Sequence, residues 1–314
     1  MSKMTIVIAL VVLVLIGWAV AASKNTDKNK SKSGLSGTIE VDGSSTVFPI
    51  TEAMAEEFRK EHPNVQINIG VSGTGGGFKR FANDETDISN ASRPIKDSEI
   101  KAAKAKNVEY LELKVAIDGL AVIAHKDNSF LTCLTTAELK KIWEPTSTVS
   151  KWSDIRSEWP SQPIKLYGPG TDSGTFDYFT EAINGKEDSS RADYTASEDD
   201  NILVQGVASD LYSLGYFGYA YYSENQNSLK LIAVDSGAGC ITPTKETIEN
   251  NNYKPLSRPL FIYLKKSALY RKEVADFTRF YLEQAPALVD EVRYIPFPAS
   301  IYQEEKAKLE AVIK

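Results

Sequence analysis

Three stretches of the chain place hydroxyls and glycines where a strand gives way to a helix, a combination suited to holding an anion. Residues 168–176 read GPGTDSGTF between a short apolar run and a helical pattern. Ser173 or Thr175 can cap that helix, and the first free N–H groups beyond the cap point out of its end. The helix dipole adds partial positive charge at the same place. Residues 42–49 (DGSSTVFP) repeat the design, with Ser44, Ser45 and Thr46 in the turn. Residues 72–81 (SGTGGGFKRF) give it again, with Ser72 leading into glycines that let backbone N–H groups come close to a ligand. This last turn is neither a nucleotide P-loop nor a dinucleotide fingerprint. No Gly-Lys-Ser/Thr follows, and Gly73, Gly75, Gly76 and Gly77 miss the GxGxxG spacing. A single turn of this kind is equally an ordinary capped helix, whereas its recurrence in one chain points to a site. A fourth segment, TDISNASR at 86–93, sets Asp87 and Arg93 at the two ends of a short strand.

The elements that must position these residues alternate in type. Residues 37–41 form a strand, and Ile50, Met54 and Phe58 then recur at helical spacing. Residues 65–71 form the next strand, with a helix beginning at 78–81. A charged helix follows at 97–106. Residues 110–116 and 119–125 are apolar strands that nearly merge across Asp118, long enough together to cross between domains. A capped helix occupies 135–143, and 152–159 is a loop whose tryptophans form a surface packing cluster. Helices at 176–183 and 198–211, strands at 215–222 and 229–234, and a returning strand at 258–264 come next. The rest is helical apart from a break at 295–298. Such alternation specifies an α/β fold with mainly parallel sheet. Ligands in such folds lie beyond the carboxyl ends of the strands, where all three turns fall. Two turns come from the first third of the chain and one from the middle, so in a two-domain molecule the site lies between the domains.

The chain has 314 residues and a formal charge of −6. This mildly acidic balance argues against binding to nucleic acid or an anionic membrane surface, so any anion must be held by local donors. Residues 1–22 place Lys3 before a long apolar run ending in a small-x-small pattern at 19–21. They read as a secretory signal, with an uncleaved N-terminal membrane anchor as the other reading. Residues 23–36 are polar and form a flexible linker. Export implies an oxidising space, where Cys133 and Cys240 form one disulfide or remain as buried thiols. His62 and His125 have no further ligands at metal spacing, which speaks against a metal site or a Cys/His nucleophile.

In this order and spacing, DGSSTVFP, VSGTGGGFKRF, TDISNASRPI and GPGTDSGTFDYF resemble the periplasmic phosphate-binding subunit of the bacterial high-affinity ABC phosphate transporter, over roughly residues 37–300. The resemblance implies a two-lobed type II periplasmic binding protein fold, with mixed, mainly parallel sheets, helices on both faces and a two-stranded hinge. Lobe I would comprise 37–116 plus 258–314, and lobe II 117–257. It implies a monomer, not an enzyme, that needs no cofactor. This monomer would capture inorganic phosphate in the interlobe cleft and deliver it to membrane permease subunits, in the periplasm or at the outer face of the cytoplasmic membrane. Carried over motif by motif, Ser45, Thr46, Ser72, Asp87, Ser173, Gly174 and Thr175 would bind phosphate. Many family members carry an Arg shortly before the Ser-Gly-Thr. Here that stretch holds Gly168, Pro169 and Gly170, and Arg93 is the substitute.

These residue types suit phosphate. Hydroxyls and N–H groups donate to bare oxygens, and Arg adds a charged bidentate donor. A carboxylate such as Asp87 can only accept, so it needs a ligand O–H, which phosphate keeps near neutral pH and sulfate lacks. Asp118 and Asp172 are weaker candidates for the same work. The alternatives are a receptor for sulfate, arsenate or molybdate, an anchored phosphate sensor, or a phosphate-ester hydrolase using Ser45 or Ser173. The last lacks a His or Lys base beside either serine.

Overall fold

The structure, a computed structural model, describes residues 34–171 and 173–313. The signal or anchor at 1–22, most of the linker, and Asp172 lie outside the described residues. The linker's end belongs to the fold, because Leu35 is buried in the core beneath the first strand.

The strands are β1 (Gly37–Gly43), β2 (Val65–Ile69), β3 (Ile88–Ala91), β4 (Tyr110–His125), β5 (Cys133–Thr135), β6 (Lys165–Pro169), β7 (Thr195–Ser197), β8 (Ser213–Gly218), β9 (Leu229–Asp235), β10 (Cys240–Ile241) and β11 (Ser257–Lys265). The α-helices are α1 (Phe48–Glu61), α2 (Gly73–Ala82), α3 (Asp97–Ala105), α4 (Thr136–Trp143), α5 (Gly174–Phe179), α6 (Asp200–Ser209), α7 (Tyr219–Glu224), α8 (Lys245–Glu249), α9 (Lys272–Glu291) and α10 (Ala299–Ile313).

β4 organises the molecule. It is one strand of 16 residues, buried without interruption from Val115 to Ala124, which is why its sequence reads as an apolar run rather than an alternation. Its first half pairs antiparallel with β11, and its second half with β8 and β9. On one side the sheet continues as β11-β3-β1-β2, with β1 parallel to both neighbours. On the other it continues as β8-β6-β7, with parallel pairing, and β9 carries β5 and β10. The result is a two-lobed mixed α/β fold in which β4 and β11 cross between the lobes. A third passage joins them, since Ile117 and Ile295 exchange N–H···O bonds of 2.8 and 3.0 Å at the break between α9 and α10.

Each sheet is covered on both faces. In the first lobe α1, α9 and α10 bury Phe58, Phe277 and Tyr281 against Val41 and Leu260, while α2 and α3 bury Phe78 and Phe81 against Phe261 and Tyr263. In the second, Trp143, Phe179 and Tyr216 fill one face, and Leu203, Val207 and Phe217 the other. Trp152 and Trp159 belong to this core at 0 and 9% exposure, so the expected surface cluster is a buried one. The indole N–H of Trp152 donates to Tyr212 O at 3.0 Å, which lets it be buried without loss. β8 stops at Gly218, four residues before the expected strand end, and turns into α7, which buries none of its side chains. After α5 the helix widens into a π turn, Thr180–Asn184. Cys133 and Cys240 are joined by a disulfide, and both lie on strands that pair with β9.

Candidate functional site

The first turn leaves β1 at Gly43, whose φ of +138° suits only glycine and whose added Cβ would strike Asn90 O at 2.1 Å. Ser44 O accepts from the N–H groups of Val47 and Phe48, and Val47 is the N-cap. Ser45 and Thr46 are therefore free of capping, and both reach the opposite lobe. Ser45 Oγ donates to Asp177 Oδ2 (2.9 Å), and Thr46 Oγ1 donates to Gly174 O (3.2 Å). Thr46 is 3% exposed, and Arg258 Nη2 donates to its hydroxyl at 3.2 Å.

The second turn begins at Ser72, the N-cap of α2, with no side-chain cap bond. The helix starts five residues before the expected point, within its glycines. Ser72 N–H donates to Asp42 Oδ1 (3.0 Å), and a Cβ on Gly76 would meet Ser72 Oγ at 2.7 Å, so Ser72 packs back onto the turn. Burial pushes the Asp42 carboxyl up, but donors from Ser72, Arg80 and Gly43 more than offset this and hold it below the usual range. The hydroxyl that reaches the neighbouring strand end is that of Thr74, 3.0 Å from Ser92 Oγ, with both residues buried. Next to Ser92, Arg93 grips Glu99 with two bonds of 2.9 and 2.8 Å.

From the other lobe, Ser173 caps α5 by accepting from Thr175 N–H (3.2 Å). Gly174 lies so close to the first turn that a Cβ would stand 2.6–2.8 Å from Thr46 atoms. Ser45, Ser173, Gly174 and Thr175 line a cavity of about 540 Å³ that Asp118 also borders. Ser92, Arg93, Tyr178, Glu181 and Arg258 line a second, of about 330 Å³. A groove of about 640 Å³ beside His62 and Phe58 holds none of these residues.

Asp87 is not in the cleft. It precedes β3 at the strand's amino end, about 13 Å from Ala91 at about 3.3 Å per residue. There it accepts from Glu40 N–H (2.9 Å) and pairs with Arg271 at 2.5 Å, whose Nη1 also bonds Thr38 O at the start of β1. Strand direction accounts for the difference, since ligand-facing turns follow the carboxyl ends and Asp87 stands at the other. Asp118 is buried on β4, 3.5 Å from Arg258 Nε; burial raises its carboxyl and Arg258 opposes the rise.

The sequence reading passed over Thr74, Ser92, Asp177 and Arg258. Arg258 stands in RPLFIYL, where a charged residue opening an otherwise apolar strand was the available signal. Asp177 was hidden in an aromatic helical pattern. The half-buried Asp177 carboxyl is pushed up to about 6 by that burial, with Asp188 and Glu187 adding to the rise and the Ser45 hydroxyl opposing it.

The arrangement of hydroxyls and helix ends from both lobes can be compared with known proteins. A family model for a PBP superfamily domain matches residues 28–284. Protein SphX of Synechocystis sp. is 50% identical over 268 residues, covering 84% of this chain and 80% of that protein. The phosphate-binding protein PstS of Staphylococcus saprophyticus is 40% identical over 291 residues, covering 92 and 88%. The crystal structure of a possible phosphate binding protein from Planctomyces limnophilus superposes with a TM-score of 0.87 at 53% identity, covering 90% of this chain and all of that one. With a family match over most of its length and such relatives covered over 80% or more of theirs, the chain belongs to the PBP superfamily and, within it, to the family of the phosphate-binding proteins.

Proposed function

We propose that the protein is an extracytoplasmic receptor that captures inorganic phosphate between its lobes and delivers it to an ABC permease. The lobes are taken as 37–116 plus 258–314 and 117–257. The observation that carries the reading is the meeting of the first turn with the α5 turn, Thr46 Oγ1 against Gly174 O at 3.2 Å, which brings donors from separate lobes to one point. An anion there draws on the hydroxyls of Ser45, Thr46, Thr74, Ser92, Ser173 and Thr175 and on the N–H groups opening α2 and α5. Arg258, whose Nη2 donates to Thr46 Oγ1, brings positive charge to the same point, while Arg93 lines the adjoining cavity paired with Glu99. Ser72, turned onto Asp42 and Gly76, holds the α2 turn in place.

Selectivity needs a carboxylate that accepts the proton phosphate retains, and with Asp87 remote that group is Asp177, which already accepts from Ser45. Sulfate has no O–H for it and would leave two like charges facing each other in a partly buried site. Neither Ser45 nor Ser173 hydrogen-bonds a His or Lys among the described residues, in keeping with relatives named as binding proteins rather than enzymes. Among the described residues no helix is long and apolar enough to cross a membrane.

Isothermal titration of the purified protein with phosphate and then sulfate at neutral pH tests the reading. One-to-one phosphate binding with no sulfate heat is expected. Equal binding of both would make the protein a general oxyanion receptor, and binding of neither would reduce the three turns to helix caps. Delivery is tested by phosphate uptake in cells lacking the protein.

A further inference from the structure

Resting on the phosphate reading, the geometry also distinguishes the arginines that line the two cavities: Arg293, in the larger one, pairs with Glu224, and Arg93 and Arg258 line the smaller. Arg93 is already engaged. Its Nη1 and Nη2 donate to the two carboxylate oxygens of Glu99 at 2.9 and 2.8 Å, and Nη1 also bonds Pro94 O at 3.2 Å. This fork-to-fork pairing satisfies most of what a guanidinium can donate.

Arg258 is placed differently. Its side chain is only 11% exposed and lies over the ring of Tyr178, with Cζ 3.5 Å from the ring centroid. Its acidic neighbours stand off, Asp118 Oδ2 at 3.5 Å from Nε and Glu181 Oε2 at 4.0 Å from Nη1. Neither Arg258 Nε nor Asp118 Oδ2 has a hydrogen-bond partner among the described residues, although both atoms are buried. Of the five N–H groups a guanidinium carries, one is used among the described residues, from Nη2 to Thr46 Oγ1. A buried cation with idle donors is costly unless something else takes them up.

Its position on the backbone adds to this. Arg258 and Asp118 are direct partners across the β11–β4 ladder, at the passage between the lobes. Thr46 belongs to the first lobe's turn, and Tyr178 and Glu181 to α5 and its π extension. One side chain thus touches the crossing strands, the first turn and the helix that follows the third turn.

We propose that Arg258, not Arg93, is the arginine that contacts and neutralises the bound phosphate, and that Asp118 competes with the ligand for it. Phosphate takes up the idle N–H groups, and because Arg258 sits on a crossing strand, the ligand's charge is coupled directly to the approach of the lobes.

The test is phosphate titration of the wild-type protein, Arg258→Gln, Arg258→Lys, Asp118→Asn and Arg93→Gln, each with a melting curve taken without phosphate. Arg258→Gln should weaken binding about a hundredfold, Arg258→Lys should recover part of the loss, and Arg93→Gln should change affinity by less than about fivefold. Asp118→Asn should tighten binding by about threefold or more, because the competing carboxylate is gone. A purely structural ion pair would instead lose melting temperature with no gain in affinity. Arg258→Gln binding within about threefold of wild type, or Asp118→Asn binding no tighter than wild type, overturns the assignment. The second criterion holds even if Arg258→Gln fails to fold. Absence of phosphate binding by the wild-type protein overturns the phosphate reading and this assignment with it.

Discussion

Asp177 sets how the cleft responds to pH. Its carboxyl accepts from Ser45 across the lobes and titrates at about 6, chiefly because of burial and then because Asp188 and Glu187 lie close. A carboxyl raised in the folded state favours folding fully below its unfolded value of 3.8, and that contribution is lost as pH rises through about 6. An uncharged replacement should therefore help only at the alkaline end. Asp177→Asn should stabilise the ligand-free protein by about 1–2 kcal/mol at pH 8, after allowance for solvent screening, and by almost nothing at about pH 3. Thermal melts at the two pH values check this, and an equal gain at both would mean that Asp177 is not the titrating group. At this scale the sequence was half legible. Hydroxyls before a helix declare their chemistry, so Ser45, Thr46, Ser173 and Thr175 stood out; Ser45, Ser173 and Thr175 line the larger cavity, and Thr46 lies buried against Gly174. Charged residues do not declare their partners. Asp87 resembles a ligand until strand direction sends it to Arg271, and Arg258 is recognisable only once β11 is seen to pass through the hinge beside Asp118.

Among the elements, α2 shows why propensity alone misplaced a boundary. Glycine disfavours helix, so the chain reads as helical only from Phe78, yet the helix runs from Gly73. The glycines are there because the helix lies almost against β1. A Cβ on Gly77 would stand 2.5 Å from Gly43 Cα and 2.9 Å from Ser89 Oγ. Backbone on one side and a buried strand on the other leave no room for adjustment, and the contact fixes where the α2 turn faces the cleft. Gly77→Ala should cost about 2–3 kcal/mol from overpacking, despite alanine's better helix propensity. Urea denaturation measures this directly, and an unchanged or higher midpoint would show that the helix can back away from β1. The π turn after α5 was equally hidden. The Thr180 hydroxyl donates to Phe176 O at 2.9 Å and to Asp177 O at 3.0 Å, a side-chain intrusion into the helical ladder that hydrophobic periodicity cannot report.

At the scale of the whole molecule, the alternation of strands and helices and the long apolar run through Asp118 were enough to indicate an α/β fold with crossing strands. What they could not supply was the third passage at Ile295, because a single pair of backbone bonds has no side-chain signature. The disulfide is the remaining long-range constraint. Cys133 and Cys240 are 107 residues apart in sequence, and both belong to strands laid against β9 in the second lobe. Neither borders the two cleft cavities. Its contribution is therefore to the folding of one lobe and not to the ligand. Closing a loop of this length removes unfolded-state freedom equivalent to about 4–5 kcal/mol. The double variant Cys133→Ser/Cys240→Ser should split calorimetric unfolding into two transitions, with the second lobe melting first. Its phosphate affinity, measured well below that transition, should stay within about twofold of wild type. A single transition at the original temperature would mean that packing around β9 alone sets the lobe's stability. A loss of affinity with the lobe still folded would mean that the β5–β10 edge is coupled to the cleft through β9 and β4.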